Sequence, residues 1–501
     1  MELLPCWERC KHKFNMTKEF EMEEIECQQS LFLTDLPIEM IIHILQFLPL
    51  SSKYRASMVC HSMYNIFNDP ELWRQYEVFI ESDKDNELMI RKGKKEKMLI
   101  SKFGKYFKIL TIKIYGHLKG MPEDWHPVLL KLSNQCSLEK LILKVGTFSP
   151  QCEPLRTKIP RPPKEDMLVL LSLIRNAKRI KQLVIQCWPF LPDYPEDQDI
   201  IKVIARNPTF HRLEHLSILW PDSSQMLSVY QPTLPNRRMV LELVSHLKNL
   251  KSLRLRSTML SNDLLKEFAH CERVDKLQLM KIYVTHGKSN PQLHIPFINP
   301  SSWKCLTDIN PNFSVNCWVI PRVQAAVLSN MLTFDCPLST VVFLEWSRVN
   351  DLMLESITSK YSKTLKRFEL YCGLTNYDTS LIRMVEECTS LTHLVIKSCT
   401  WYGLHYRTVI ELAKSRGSGW KTFQIDEKNV SMVDQIDHAE NDEMVAHLEN
   451  RLEGIAIDPE NDDRKMKRME LKESLAAILG SEFVGRRKSL IIYRNKDGVQ
   501  I

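Results

Sequence analysis

The sequence predicts an α/β fold in which a three-helix N-terminal module is followed by a solenoid and then by a helical C-terminal cap. The solenoid is expected to be a curved, mostly parallel sheet with helices on its convex side. Two observations lead to this prediction. An apolar-x-x-apolar-x-apolar pattern recurs ten times from residue 107 onward. Before it, close to the N-terminus, a dense apolar helix lies between Pro37 and Pro49.

Length and composition limit the classes of protein that fit. The 501 residues suffice for two or three domains or for one extended repeat array. The net charge of +7 is small for this length, so acidic partners are weakly favoured and nucleic-acid binding is not expected. The chain lacks a run of eighteen apolar residues and an N-terminal apolar signal region, which argues against membrane insertion and secretion. The 14 cysteines form no C-x-x-C pair, so reduced thiols and a cytoplasmic or nuclear location are expected.

The apolar stretch "LPIEMIIHILQFLPL" predicts the first helix, over residues 38–48. Glu39, His43 and Gln46 are spaced to form one narrow polar stripe, so the rest of the helix surface is apolar. A segment this short cannot bury so wide an apolar surface by itself. The sequence therefore implies a partner for this helix.

Further signals extend this module over residues 31–80, behind a polar tail at 1–30. Ser51 is expected to be the N-cap of a second helix, and Asp69 followed by Pro70 to open a last short helix. In the tail, the cysteines and histidine at positions 6, 10, 12 and 27 suggest a zinc site. Their spacing matches no common zinc finger, and a mobile tail is the favoured interpretation.

Residues 81–106 are predicted to form a basic linker helix. The stretch "RKGKKEKMLISKFGKYFK" contains eight basic residues and one acid. Met98, Leu99 and Phe103 lie at helical spacing within it, which favours a solvated helix ending near Gly104. A nuclear localisation signal and a phosphate-binding patch remain the alternatives.

The recurring pattern predicts leucine-rich repeats over residues 107–428. Each unit opens with a short strand, as in "LEKLIL", "LKSLRL", "VDKLQL" from residue 274 and "LKRFEL". "NPNFSVNCWV" supplies an imperfect extra unit with Val315 and Cys317 pointing inward. The amphipathic stretches between the strands fit convex helices. Residues 429–501 are expected to form a charged helical cap, with helices in "NDEMVAHLENRLEGI" and "LKESLAAILG" and a last strand in "SLIIYR".

Beginning at Leu33, "LTDLPIEMIIHILQFLPLSSKYRASMVCHSMYNIFNDPELWRQY" resembles an F-box, the module by which substrate receptors dock on the SKP adaptor of cullin-RING ubiquitin ligases. Tyr54 and Met63 depart from the family pattern, in which an aliphatic residue and a tryptophan are usual. Segments after the linker and in the tail resemble a subgroup of the F-box only proteins. The resemblance implies an adaptor-binding surface made of Leu36, Pro37, Ile41, Ile44, Leu45, Leu48, Pro49, Val59, Cys60, Leu72 and Trp73.

An F-box followed by leucine-rich repeats resembles the receptors whose solenoid binds the substrate. The expected function is therefore that of a non-catalytic substrate-recognition subunit of an SKP-cullin-F-box ubiquitin ligase. No cofactor, metal site or catalytic motif is expected. Two rival hypotheses are a scaffold acting outside a cullin ligase and an enzyme hidden in the C-terminal region. Deletion of residues 31–80 is expected to leave substrate binding by the repeats intact.

The substrate is expected to bind the concave face, where the strand residues between the inward ones point. Arg254 and Arg256 lie two residues apart and are expected to grip a phosphate or carboxylate together, so the partner is expected to be an acidic or phosphorylated protein. A solvated strand face, and aromatic packing under loops, are the alternatives. The full set of substrate-binding candidates is Arg254, Arg256, Lys276, Trp318, Trp346, Arg367, Tyr371 and Lys397.

Overall fold

A computed structural model describes most of the region between residues 36 and 479 and leaves out the two ends. The described residues are 36–81, 87–115, 121–147, 164–186, 188, 199–219, 235–270, 277–284, 297–319, 323, 325–344, 347, 349–371, 378–397, 404–425, 430–431 and 462–479. The chain divides into two compact units. The first contains residues 1–142 and 163–180, and the second contains residues 143–162 and 181–501.

The first unit opens with the three predicted helices, α1 (Ile38–Gln46), α2 (Leu50–Ser57) and α3 (His61–Phe67). Helix α1 ends two residues before the predicted end, and α2 begins directly after Pro49, so Ser51 lies inside α2 and is not its N-cap. Pro49 has extended backbone angles, which place it just outside the helix.

A 3-10 helix, Pro70–Trp73, follows these helices and is capped as predicted by Asp69, whose side chain accepts a hydrogen bond from the Glu71 amide. Strand β1 (Gln75–Glu81) comes next, at a position where the sequence pattern predicts no strand. It pairs in parallel with β2 (Ile109–Tyr115) over its full length. The register sets Tyr76 beside Leu110, so the repeating pattern already begins within residues 31–80.

The predicted linker helix is α4 (Glu87–Phe103), which ends where a 3-10 turn, Gly104–Tyr106, begins. Leu99, Ile100 and Phe103 are buried, while Met98 is exposed. Gly104 is required by a close approach, since a Cβ atom there would lie 2.7 Å from a Leu132 methyl carbon. The helix is therefore a packed part of the first unit as well as a charged one.

The remaining elements of the first unit repeat this strand-and-helix order. They are α5 (His126–Gln135), the first residues of β3 (Lys140–Thr147), and α6 (Lys164–Arg175). The carbonyl of Lys108, just before β2, accepts hydrogen bonds from the amides of Glu139 and Lys140. Asp166 joins α6 to the segment before α5, because its carboxylate accepts from the Met121 amide and contacts His126 Nε2, each at 2.6 Å.

The second unit continues the alternation with parallel strands that pair in chain order. Its main-sheet strands up to residue 396 are β4 (Gln182–Gln186), β5 (His215–Leu219), β6 (Ser252–Arg256), β7 (Leu279–Val284), β8 (Ser314–Val319), β9 (Leu338–Phe343), β10 (Arg367–Leu370) and β11 (His393–Ile396). Strand β12 (Leu404–His405) pairs with β14 (Val430–Ser431) in a separate small sheet, and β13 (Thr422–Ile425) pairs with β11.

Helices alternate with these strands and bury their apolar sides. They are α7 (Ile200–Arg206), α8 (Arg237–His246), α9 (Asn262–Phe268), α10 (Pro300–Ile309), α11 (Ala325–Met331), α12 (Asp351–Tyr361), α13 (Asp378–Glu387) and α14 (Tyr406–Lys414). Side chains of Asp199, Asn236, Ser261, Asn299, Asn350 and His405 cap six of them at the N-terminus. The predicted α/β class, with a parallel sheet and helices after the N-terminal helices, is confirmed.

One predicted strand is corrected. The pattern from Val274 predicts a strand over "VDKLQL", but β7 begins at Leu279, and its buried anchors are Leu277, Met280 and Ile282. Both sets of residues satisfy the same apolar spacing, so the sequence alone does not separate them. The predicted extra unit is confirmed as β8, in which Val315 and Cys317 are fully buried.

Helix α15 (Asp462–Leu479) confirms helical structure in that part of the predicted cap. Leu471, Leu475 and Leu479 are buried, and the helix packs against α14. The predicted helix at residues 441–455, the strand in "SLIIYR" and the N-terminal cysteines fall outside the described residues. Among the described helices, none is both long enough and apolar enough to span a bilayer.

Candidate interaction surfaces

Exposed apolar side chains are concentrated on and next to helices α1 to α3 of the first unit. We call this surface the helical patch, and its members are Ile38, Met40, Ile44, Phe47, Tyr54, Met58, Val59 and Tyr64. Met40, Ile44 and Phe47 follow one side of α1 at spacings of four and three residues. Phe47 and Val59 are each 77% exposed. So much apolar surface on one small module is typical of a protein interaction site.

The structure divides the predicted adaptor-binding residues into two groups. Pro37, Ile44, Pro49, Val59 and Cys60 are exposed, and Leu36 and Leu48 are half-buried. The other four, whose side chains are almost fully buried, are Ile41, Leu45, Leu72 and Trp73.

This division corrects the expectation that all eleven side chains contact a partner. Helix α1 has two apolar sides, and the side that carries Ile41 and Leu45 faces the interior of its own unit. The four buried residues therefore pack in the core of their own unit in the chain by itself, and their contact with a partner stays a prediction.

Trp73 shows most clearly what the buried group does. Its ring stacks on Phe103 of α4 with a centroid distance of 4.4 Å, and Phe67 meets it edge-on at 5.2 Å. Its indole nitrogen donates a 2.7 Å hydrogen bond to the Phe67 carbonyl. The Lys53 ammonium lies 5.9 Å from the ring centre, and burial lowers the pKa of Lys53. Trp73 thus joins the three helices to the linker helix.

The two departures from the F-box pattern occupy different environments. Met63 is buried in the core of the helices. Tyr54 is largely exposed, and its ring meets Phe67 edge-on at 6.4 Å. Met63 therefore replaces the usual tryptophan as a core residue, whereas Tyr54 adds an aromatic ring to the helical patch.

A second candidate surface lies on the sheet of the second unit. It is formed by the strand residues that alternate with the buried anchors and therefore point to the opposite face of the sheet. Arg254 of β6 pairs in register with Lys281 of β7, and Lys281 pairs with Asn316 of β8. Residues paired in this way across parallel strands point to the same face. The corrected register of β7 brings Lys281 to this position, whereas the alternative apolar spacing assigns Gln278 to it.

Aromatic side chains lie beside the two cations. The Lys281 ammonium is 5.5 Å from the centre of the Trp318 ring, within range of a cation–π interaction. Tyr283 stacks on Trp318 at 5.2 Å, with the ring planes 9° apart, and Leu344 packs against Tyr283. We call Arg254, Lys281, Tyr283 and Trp318 the cation–aromatic cluster.

The electrostatics of this cluster are unfavourable without a ligand. Burial, and then the neighbouring Arg254 charge, lower the pKa of Lys281. Within the described part of the chain, neither Arg254 nor Lys281 forms a salt bridge with an acid. An anion bound between them would relieve the repulsion between the two cations.

The other predicted substrate residues are less available. Arg256 is 8% exposed and already engaged in an interaction. Arg367 forms an ion pair with Glu369. Tyr371 lies 5.8 Å from the Lys397 ammonium, and burial followed by Glu369 raises its pKa. Lys276 and Trp346 fall outside the described residues. The predicted pairing of Arg254 with Arg256 is therefore replaced by Arg254 with Lys281.

Comparison with known proteins agrees with this organisation. The F-box-like family model matches residues 33–77. F-box/LRR-repeat protein 21 of Mus musculus is 22% identical over 366 residues, which cover 73% of this chain and 76% of the relative. The Ovis aries protein of the same name is 23% identical with the same coverage. F-box only protein 33 of Mus musculus is 21% identical over 499 residues, covering 86% of this chain and 82% of the relative.

Helices, strands and comparisons lead to one assignment. Helices α1 to α3 lie inside the matched segment, and the similarity to the relatives extends over the parallel strands that follow. The chain therefore contains an F-box-like segment followed by strand-and-helix repeats, and it is similar in this organisation to the F-box/LRR-repeat proteins.

Proposed function

We propose that the chain is a substrate-recognition subunit of an SKP-cullin-F-box ubiquitin ligase, which docks on the SKP adaptor through its F-box and binds a protein substrate through its repeats. The observation that supports docking is the helical patch. It lies within the segment that matches the F-box model, and its apolar side chains are exposed in the isolated chain.

The chemistry of the patch explains why the partner should be apolar. Phe47 after α1 and Val59 after α2 are each 77% exposed, so most of their apolar surface is available to a partner. Burying an apolar side chain of this size contributes about 1.5–3 kcal/mol. Helix α4 and Trp73 already complete the other side of the module. The adaptor therefore needs to cover only the outer side.

Docking of this kind requires no catalytic group in the chain itself. A receptor that holds the substrate near a ubiquitin-charged enzyme raises the local concentration of the reacting groups. The non-catalytic role in our proposal follows from this division of labour. We also place the protein in the reducing cytoplasm or nucleus, where exposed thiols such as Cys60 and Cys305 persist.

The docking proposal can be tested with matched charge substitutions at exposed apolar residues. In the full chain, Phe47→Glu with Val59→Glu places two carboxylates in the helical patch. The matched control is Phe334→Glu with Leu352→Glu, at residues that are 68% and 67% exposed on the second unit. Co-purification of adaptor and cullin should fall at least about tenfold for the first variant only. Equal recovery for both variants would exclude the helical patch as the docking site.

Two exposed cysteines provide a second measurement on the unmodified chain. Cys60 lies next to Val59 of the helical patch, and Cys305 lies on α10 of the second unit. Addition of purified adaptor should slow alkylation of Cys60 and leave that of Cys305 unchanged, as followed by peptide mass spectrometry. If the adaptor and cullin bind but no bound protein is ubiquitinated by the assembled ligase, the scaffold hypothesis replaces the receptor proposal.

A further inference from the structure

The row of residues around Arg254 contains more polar groups than a solvated strand face requires. Ser217 of β5 pairs in register with Arg254, so four consecutive strands place Ser217, Arg254, Lys281 and Asn316 side by side on one face. Neighbouring strands lie about 4.8 Å apart, so adjacent members of this row can contact one bound group. Each of the four side chains can donate a hydrogen bond.

Ser217 provides an independent indication that this row binds a ligand. Ser217 is only 6% exposed, and its hydroxyl oxygen has no hydrogen-bond partner among the residues that the structure describes. An unsatisfied buried hydroxyl is destabilising, and most buried polar groups in proteins are paired. A ligand oxygen next to Arg254 would satisfy this hydroxyl and neutralise the adjacent cations at the same time.

The next position along the strands is aromatic on β7 and β8, where Tyr283 and Trp318 lie, and is occupied on β6 by the buried Arg256, which is already engaged in an interaction. The aromatic side chains determine what accompanies the anion. Trp318 lies two residues beyond Asn316 on the same face, and it stacks on Tyr283, which lies two residues beyond Lys281. Two residues span about 6.6 Å along a strand. This distance fits a ligand that carries an anionic group and, one or two residues away, an apolar or aromatic side chain.

The distribution of charge favours a peptide over a nucleic acid. Beyond Asn316 the same row continues with Thr340 and Arg367, and Arg367 is neutralised by Glu369. Nucleic acids are bound by series of cations that follow several phosphates. Arg256, the next cation on this face, is buried and already engaged in an interaction. The half-buried pair of Arg254 and Lys281, with the neighbouring aromatic ring, instead matches one acidic or phosphorylated residue of a polypeptide.

We propose that Ser217, Arg254, Lys281 and Asn316 form an oxyanion-binding subsite which, together with Trp318, binds a substrate peptide carrying a carboxylate or phosphate followed by an apolar side chain. This inference rests on the proposed receptor function and specifies the chemical class of substrate. Carboxylate and phosphate are the two sources of the same oxyanion chemistry.

The test uses the full chain bound to its adaptor and an array of peptides with one fixed central residue and randomised flanking positions. The fixed residue is glutamate, phosphoserine, alanine or lysine in separate arms. Binding should be at least about tenfold stronger for glutamate or phosphoserine than for alanine and lysine. Which of the two anionic arms is stronger identifies the source of the oxyanion. A single-stranded oligonucleotide of equal charge serves as the competing class of ligand.

Charge substitutions then locate the binding. Arg254→Glu with Lys281→Glu should abolish the preference for anionic peptides. Arg238→Glu with Lys266→Glu, two exposed residues on α8 and α9 with the same change in net charge, should leave it unchanged. The milder Arg254→Gln with Lys281→Gln and the single Ser217→Ala should each weaken anionic peptides at least about threefold while unfolding at or slightly above the wild-type temperature. Trp318→Leu should remove the preference for aromatic neighbours only.

Several outcomes would overturn the inference. They are equal binding of all four peptide arms, equal losses in the two charge-reversed variants, and stronger binding of the oligonucleotide. Recovery of the adaptor is measured on the same samples. A chain that retains adaptor and cullin but shows no anionic preference contradicts only the subsite. A chain that binds anionic peptides but never a cullin contradicts only the ligase proposal.

Discussion

The two candidate surfaces of this protein differ in both polarity and exposure. The helical patch presents uncharged side chains of residues that are 40% to 77% exposed, with Phe47 and Val59 the most exposed. The cation–aromatic cluster presents Arg254 and Lys281, which are half-buried and repel each other. An apolar surface suits a partner that stays bound, whereas a charged row with an unsatisfied hydroxyl responds to the presence of one anionic group. Substitutions, salt and pH can each test this difference.

The largest expected effect is the loss of stability when Trp73, a core residue of the first unit, is replaced. Trp73→Ala removes a ring that stacks on Phe103 and should lower the free energy of unfolding by about 3–5 kcal/mol. Thermal unfolding measures this loss, and Trp73→Phe should restore part of it. If Trp73→Ala left unfolding unchanged but abolished adaptor binding, Trp73 would be a contact residue, as the sequence pattern indicates, and not a core residue.

The two surfaces should respond differently to salt. Raising the salt concentration from about 0.1 M to about 1 M shortens the Debye length from about 10 Å to about 3 Å. Affinity for the best anionic peptide of the array should then fall about tenfold, which is about 1.4 kcal/mol, while affinity for the adaptor should change by less than about threefold. Fluorescence anisotropy at both salt concentrations measures the two affinities. A larger loss for the adaptor would reverse the comparison.

A pair of buried serines tests whether the unsatisfied hydroxyl is real. Ser133 donates to the Leu130 carbonyl at 2.8 Å and accepts from the Asn176 amide, whereas Ser217 has no hydrogen-bond partner within the described part of the chain. Ser133→Ala should therefore cost about 1 kcal/mol of stability, and Ser217→Ala should cost nothing or stabilise slightly. Denaturant unfolding of the two variants provides the measurement. Equal costs would show that Ser217 is satisfied in solution.

The smallest expected effect is the pH dependence contributed by Lys281. Its pKa in the folded chain lies below the value of 10.5 for an unperturbed lysine, so protonated Lys281 destabilises the fold. This destabilisation is complete below the lowered pKa and disappears as the pH rises above 10.5. Lys281→Met should therefore raise the unfolding temperature slightly at pH 7, and the difference should shrink as the pH increases. A decrease at pH 7 would show that the positive charge is compensated.

The sequence is sufficient where one pattern has one interpretation. Pro37 and Pro49 limit α1 to within two residues, and the regular apolar spacing locates β6 and β8 correctly. It is insufficient where one residue satisfies two patterns. Trp73 is both the end of the F-box motif and the first anchor of the repeats, since it stands three residues before Tyr76 as Phe107 stands before Leu110. The F-box motif is the stronger of the two signals, and it hides the strand that follows.

The sequence predicts the chemical character of each candidate surface, but it does not predict which residues belong to it. Apolar residues on α1 are evident from the sequence, but which side of α1 faces the core depends on packing with Leu72 and Trp73, and local spacing does not show this. On the sheet, a shift of three residues in β7 places Lys281 instead of Gln278 in register with Arg254. Contacts between strands that are about thirty residues apart depend on register, which a single strand does not determine.

Strand β1 limits which deletions can be used to separate the F-box segment from the repeats. A truncated chain that begins after residue 80 would lack nearly all of β1, leaving the hydrogen-bonding edge of β2 unpaired and the ring of Phe103 without its aromatic neighbour. Exposed strand edges promote self-association. The F-box segment therefore cannot be deleted without disturbing the strands that follow it. The truncated chain should aggregate or bind unrelated proteins, so proteins that co-purify with it would not identify the substrate. Point substitutions such as Phe47→Glu with Val59→Glu separate adaptor binding from substrate binding and leave the pairing of β1 with β2 intact.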